Sequence, residues 1–397
     1  MKILVLNAGS SSQKSCLYDV PDGALPGKQP APLWTGEIDG TELKISTRAG
    51  VSRQETLATA PSDTTSHLLQ TLWSGPTQVI SHPGEIDIVG HRVVHGGSEY
   101  KNPTLITEEV KTAIRRLSPL APAHNPAALA GMEAIEHLLG DVPQVAVFDT
   151  AFHRSLPDAA AFYPVPYEWQ EQGIRRFGFH GISHEDCAQR AARILGRELS
   201  SLRLITCHLG NGCSLAAIQG GRSMDTTMGF TPLEGLMMGT RSGSIDPGIL
   251  LYLMREKGYN ANQLDHILNK ESGLKGISGL SGDMRDITAA MDGEHKQAQL
   301  AFDMYVHRLR SGIGAMLGAL GGLDALVFTA GVGENSAPIR AGVCQQFAWM
   351  GLRIDANRNE GSPVDEDIAL PESAVRVLVI QAQEDWAVAR VCRSFVL

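Results

Sequence analysis

The sequence predicts an α/β protein whose fold is written twice, and three observations carry that prediction. Two short segments answer each other, Leu6-Asn7-Ala8-Gly9-Ser10-Ser11-Ser12-Gln13-Lys14 and His208-Leu209-Gly210-Asn211-Gly212-Cys213-Ser214, each set between two apolar runs. Both read as strand, small-residue turn, strand. Such a turn exposes backbone N–H groups and hydroxyls, so a phosphate can approach closely. Strand-like and helix-like runs alternate through both halves, which implies α/β layers with mixed sheets. Finally, Arg92, Asp149, His208, Asn211, Gly331 and Glu384 each follow a predicted strand. Open α/β sheets bind ligands at the carboxyl ends of their strands.

The elements follow in order. Ile3 to Leu6 forms the first strand, and Asn7 to Lys14 its turn. The proline- and glycine-rich stretch Asp22 to Leu33 reads as a surface loop. Ile86 to Val89 is a strand that ends in Gly90-His91-Arg92-Val93-Val94-His95-Gly96-Gly97. Thr107 caps a helix with Glu108 and Glu109 in its first turn and Arg115 and Arg116 in its last, a charge order that suits the helix dipole. Asn125-Pro126 reads as an N-cap followed by proline, opening a helix that runs to Leu139 and stops at Gly140. Val145 to Phe148 is a strand, and Asp149 follows directly.

In the second half, Ser183 with Asp186 three residues on reads as an acidic capping box for a helix ending at Gly196. Leu202 to Cys207 and Ser214 to Ile218 are the strands of the second hairpin. Ala325 to Thr329 is a buried strand, and Gly331-Val332-Gly333-Glu334-Asn335 turns into a helix near Ser336. Val375 to Ile380 is the last strand, and Glu384 starts the final helix.

The length of 397 residues favours two domains. A net charge of −9 argues against nucleic acid as the main partner, so an anionic substrate needs a local arginine cluster. The six cysteines are scattered with no CxxC, which favours reduced thiols over zinc. No stretch has the length of a membrane span or the pattern of a signal peptide, and a cytoplasmic location is expected.

Phosphate chemistry has several candidate carriers. The chain has no GxxxxGK[ST] loop, no HRD/DFG pair and no GxSxG elbow. Arg92 lies among histidines after a strand, and Arg241 stands among small residues in Met238-Gly239-Thr240-Arg241-Ser242-Gly243-Ser244. A structural ion pair and a solvated loop charge are their respective plain readings. Asp283 can bond a ribose hydroxyl and Arg285 can stack on a base, with a helix cap as the plain alternative.

Taken together, LNAGSSSQK, GHRVVHGG, HNP, FDTAFH, RRFGFHGISH, HLGNGCS, MDTTMGFTPLEGLMMGTRSGSIDPG, SGLSGDMRD and TAGVGEN closely resemble the acetate kinase family, within the acetate, propionate and butyrate kinase group. The match runs over nearly the whole chain. The resemblance implies two duplicated actin-like ATPase (ribonuclease H-like) domains with a cleft between them. The expected division is residues 1–149 plus 386–397, carrying Asn7 and Arg92, and residues 150–385, carrying the nucleotide. It implies ATP plus acetate giving ADP and acetyl phosphate by direct in-line transfer in a cytoplasmic homodimer; use of propionate as well is a separate expectation that Ala123 raises. Mg²⁺ is the implied metal, with Mn²⁺ as a substitute; neither nucleic acid nor a membrane is an implied partner.

By the same resemblance, Asp149, Arg92, Arg241, His180 and His124 sit at the reacting centre. ATP falls to Lys14, His208, Leu209, Gly210, Asn211, Gly212, Asp283, Met284, Arg285, Gly331, Val332, Gly333, Glu334 and Asn335. The acid falls to Arg92, Val94, Ala123, Phe179 and Pro232, and the metal to Asn7 and Glu384. Ser15 stands where the family usually has an aromatic, and Gln381-Ala382-Gln383 replaces a proline–threonine–asparagine run before Glu384. Ala123 replaces the usual leucine beside His124, which is expected to enlarge the acyl pocket. A propionate or butyrate kinase, a non-catalytic or hydrolytic actin-like nucleotide-binding protein and a sugar kinase are the competing readings. The last needs an aspartate base, nominally Asp149.

Overall fold

The computed structural model describes residues 1–9, 12–21, 23, 25, 29–57 and 61–396. Ser10 and Ser11 of the first turn, and Asp22, Ala24 and residues 26–28 of the proline-rich loop, lie outside the described residues. The chain divides into two compact units, Met1–Ala151 with Gln383–Leu397, and Phe152–Ala382.

The strands are β1 Lys2–Ala8, β2 Ser12–Asp19, β3 Trp34–Asp39, β4 Glu42–Thr47, β5 Ser52–Thr56, β6 Ile88–Val93, β7 Thr104–Leu105 and β8 Gln144–Phe148 in the first unit. The second unit has β9 Arg203–Leu209, β10 Cys213–Gln219, β11 Arg222–Thr226, β12 Ala325–Thr329, β13 Glu366–Asp367 and β14 Arg376–Val379. The first sheet has the order β5-β4-β3-β2-β1-β6-β8-β7, the second β11-β10-β9-β12-β14-β13. Both follow one plan. A hairpin (β1/β2, β9/β10) is extended by an antiparallel strand on one side. Two parallel strands follow on the other (β6 and β8, β12 and β14), and a short antiparallel strand closes each edge. The repeat read from two turns is therefore a repeat of whole sheets. The expectations omit strands β3 to β5, although β3 and β4 alternate in burial and are joined by a two-residue turn at Gly40-Thr41.

Burial explains the parallel strands. β8 and β12 are buried at every residue, as expected of strands covered on both faces. Helix Glu384–Arg393 covers the first sheet and buries Trp386, Val388, Ala389 and Cys392. Its close approach depends on Gly90 in β6: a Cβ there would stand 2.5 Å from Cys392 Sγ and 2.6 Å from a Val388 methyl. No helix of the described residues is long and apolar enough to cross a membrane.

Several local expectations are corrected. β6 begins two residues later than Ile86 and runs through Arg92, and β9 runs through His208. Asn7 and Lys14 lie in β1 and β2 and not in the turn. Asn125 is not a cap: His124 takes that position, and Asn125 exchanges hydrogen bonds with the His95 backbone at 3.1 Å. Ser183 is not a cap either. That helix is Gly181–Leu195, and the Ser183 hydroxyl meets His208 Nδ1 at 2.8 Å while Asp186 pairs with Arg190. The segment from Gly331 to Asn335 is itself helical, as Ala330–Asn335, and a second helix starts at Ala337. Thr107 does cap helix Glu108–Leu117, accepting from the Val110 N–H.

Candidate active site

In the first unit, strand register assembles the polar residues. Asn7 in β1 lies beside Arg92 in β6, and Arg92 lies beside Val147 in β8, so Asp149 follows at the same edge. These are the carboxyl ends of three parallel strands. Arg92 donates from Nε to both Asp149 oxygens, at 3.2 and 3.1 Å, and from Nη2 to Oδ2 at 2.5 Å. Its Nη1 donates to Asn7 Oδ1 at 3.0 Å. Burial alone would lower the Arg92 pKa, but Asp149 and Glu384 raise it further, so the guanidinium stays charged. Asp149 is fully buried.

Asn7 is held from its other end as well. Its Nδ2 donates to Asp385 Oδ1 at 2.8 Å, and the other Asp385 oxygen accepts from Cys16 Sγ at 3.6 Å. Burial and the neighbouring Glu384 hold the Asp385 carboxyl above its usual range. Asp385 was not expected at the site; its only sequence signal is adjacency to Glu384, the first residue of helix Glu384–Arg393. Val94 is buried just beyond β6, Ala123 is exposed and His124 half-buried in the turn before helix Asn125–Leu139. Lys14 is exposed and pairs with Glu37 at 3.7 Å.

In the second unit, a cavity of about 1010 Å³ brings together Gly210, Asn211, Asp283, Met284, Arg285, Gly331, Val332 and Asn335. Tyr305, Asp292, Leu274 and Pro338 are also among its walls and had no motif to announce them. Asp283 caps helix Met284–Asp292 and pairs with Arg285 at 2.5 Å, so the plain cap reading and a place at the cavity hold together. Arg340, almost wholly buried, donates to the Gly333 and Glu334 carbonyls at 2.9 and 2.7 Å and fixes the end of helix Ala330–Asn335. Glu334 accepts from the Ala382 N–H at 2.8 Å. His208, Leu209, Gly212, Gly333 and Glu334 are not among the cavity's lining residues.

A histidine cluster stands in the same unit. His180, which has the left-handed backbone φ of 56°, opens helix Gly181–Leu195 directly after the buried Phe179. Its ring stacks on His208 at 4.2 Å, and its Nδ1 lies 2.8 Å from the Ser214 hydroxyl. A Cβ built on Gly212 would stand 3.1 Å from Arg241 Nη2 and 3.5 Å from His180 Nε2, so both side chains lie close over this glycine. Arg241 donates from Nη1 to the Pro232 carbonyl at 2.7 Å, and burial pushes its pKa down. Among the described residues it has no carboxylate partner, unlike Arg92.

The profile of the Acetokinase family matches residues 2–390. An acetate kinase of Trichormus variabilis is 62% identical over 399 aligned residues, covering 99% of this chain and 98% of that protein. The crystal structure of Porphyromonas gingivalis acetate kinase superposes with a TM-score of 0.90 at 40% identity, covering 100% of both chains. A propionate kinase from Francisella tularensis superposes at 0.89 with 35% identity over 99% of both chains.

Proposed function

The chain belongs to the Acetokinase family, and we propose from that premise how its residues move a phosphoryl group between ATP and acetate. The chain is an acetate kinase by its likeness over its full length, with the two-unit actin-like fold of that family. In the forward direction an acetate oxygen attacks the γ-phosphorus of ATP. The new O–P bond gives acetyl phosphate, and the bond to the bridging oxygen breaks with its electrons passing to ADP.

The observation that carries this reading is the clamp on Arg92, whose guanidinium is oriented by Asp149 on one side and Asn7 on the other. Acetate, with a carboxyl pKa of roughly 4–5, is already ionised at neutral pH. No general base is needed; repulsion between two anions is the obstacle. Arg92 meets the acceptor carboxylate and Arg241 the moving phosphoryl group, where fixed cations neutralise charge on the equatorial oxygens. Asp149, engaged through both oxygens, positions Arg92. A sugar kinase would need that carboxylate as a base, and the Arg92 pair occupies it.

The second unit's cavity takes the adenosine, with Asp283, Arg285, Gly331 and Asn335 at its walls, and the His208 to Gly212 turn takes the phosphates. Asn7 and Glu384 offer hard oxygen donors fit for Mg²⁺, which is commonly held by one or two carboxylates, waters and substrate phosphates. Among the described residues no group of three His, Cys, Asp or Glu ligands is assembled, which suits that mode better than a closed protein cage. Bound there, Mg²⁺ would neutralise phosphate charge. The six cysteines are free thiols, in keeping with a reducing cytoplasm.

A hydroxamate assay for acyl phosphate, run with acetate, propionate, butyrate and no acid, tests the reaction; no hydroxamate with any acid refutes it. The same assay tests the acyl pocket. Ala123 lacks the leucine carbons expected there, and each filled methylene is worth roughly 0.8 kcal/mol. Ala123→Leu is expected to lower the propionate-to-acetate ratio of kcat/KM by about four-fold, from the one methylene by which the two acids differ. An unchanged ratio removes Ala123 from specificity.

We place a homodimer interface on helix Pro247–Lys257. Its Ile249, Leu251, Tyr252 and Met254 are 45–54% exposed, and none of its residues is buried. Contiguous apolar surface of this kind marks an interaction site. Leu251→Glu combined with Tyr252→Glu is expected to give a monomer by light scattering. A dimer of unchanged mass would move the interface elsewhere.

A further inference from the structure

His180 is reached by a hydrogen-bonded chain that begins in the middle of β9. The Thr206 hydroxyl lies 2.7 Å from His184 Nδ1, and His184 Nε2 lies 2.8 Å from the Ser214 hydroxyl. That same hydroxyl lies 2.8 Å from His180 Nδ1. Thr206, His184 and Ser214 are fully buried, and the proposed reaction gives none of them a task.

Counting protons fixes the direction of the chain. A buried hydroxyl has one proton and must place it on an acceptor. Among the described residues the Thr206 hydroxyl has a single partner, so its proton goes to His184 Nδ1. Burial pushes the His184 pKa well below its usual value, so its ring is neutral and carries one proton. With Nδ1 accepting, that proton is on Nε2 and is donated to Ser214 Oγ. The Ser214 proton is then left for His180 Nδ1, and His180 carries its own proton on Nε2. The reverse direction needs every member to switch and leaves the Thr206 proton with no acceptor.

We propose that Thr206, His184 and Ser214 are positioning residues that lock His180 in its Nε2–H tautomer, so that it meets the phosphoryl group as a neutral hydrogen-bond donor beside Arg241. The place of His180 at the phosphoryl group rests on the acetate kinase reading; the tautomer rests on the hydrogen-bond chain alone. Nε2 lies 3.5 Å from where a Cβ on Gly212 would stand, with Arg241 Nη2 3.1 Å from the same point. A protonated Nε2 has no lone pair, so His180 cannot take the phosphoryl group itself at that atom. The donor sits where negative charge gathers during transfer.

The test is the tautomer of His180 in the full-length protein labelled with ¹⁵N-histidine, read from nitrogen shifts and long-range couplings. His180→Gln identifies the signals by their loss. The parent is expected to show Nε2 protonated and Nδ1 accepting. Thr206→Val removes the first donor without touching the site and is expected to give a mixture of tautomers. Halving the competent population lowers kcat about two-fold or more, with KM for ATP unchanged. Thr206→Ser, which keeps the hydroxyl, should restore the parent pattern. A parent protonated on Nδ1, or a parent-like tautomer in Thr206→Val, overturns the proposal. Because the nitrogen spectrum needs no turnover, an inactive protein with the expected spectrum would sink the kinase reading and leave the lock standing.

Discussion

Replacing Arg92 by alanine is expected to lower kcat by about 10³–10⁵-fold, the range for an arginine serving phosphoryl transfer. The same change should cost the fold about 3–5 kcal/mol, because it removes the guanidinium that is paired with a buried charge. That charge is Asp149, fully buried and bonded through both oxygens to Arg92. The two losses separate in a second variant. Arg92→Met with Asp149→Leu removes both charges and should regain most of the stability while staying inactive. Urea unfolding and the hydroxamate rate measure the two quantities. An Arg92→Ala protein within ten-fold of the parent rate would take Arg92 out of the reaction.

Arg241→Gln is expected to reduce kcat on the same scale while behaving oppositely toward stability. Arg241 is half-buried with only the Pro232 carbonyl as its named acceptor, and burial already disfavours its charge. A partly desolvated cation without a counter-charge is a cost in the free protein that a bound anion offsets. Glutamine keeps a donor for Pro232 and removes that cost. The ligand-free Tm should therefore hold or rise, and the stabilisation by added ATP should shrink. A ligand-free Tm that falls as far as in Arg92→Ala would mean that Arg241 is structural.

What could be read in advance depended on where the deciding contact lay. Thr107 and β12 follow from signals within a few residues, and both stand where expected. Gly90 looks like a strand end, yet it continues β6 because Cys392 and Val388, three hundred residues away, need its missing side chain. Ser183 and Asp186 have the spacing of a capping box, but His208 and Arg190 claim them. The glycines and Asp283 that line the second unit's cavity come from compact motifs. Tyr305 reaches the cavity from a long helix, Lys296–Leu320, whose pattern is only that of packing. His184 and Asp385 act through other side chains, and nothing local distinguishes a residue that orients from one that fills space.

Helix Pro247–Lys257 has a further consequence. It is well capped, with Asp246 accepting from the Gly248 N–H and Gly258 in the left-handed conformation, yet none of its residues is fully buried, and only Leu250 and Leu253 are half-buried. An isolated helix of this length is marginal in water. In the proposed homodimer its order is therefore supplied in part by the second copy, and folding of this segment becomes in part a matter of mass action. Dilution below the dimer dissociation constant should loosen the helix first, so that the melting temperature depends on protein concentration. The enzyme's working stability is then set in part by how much of it the cell makes.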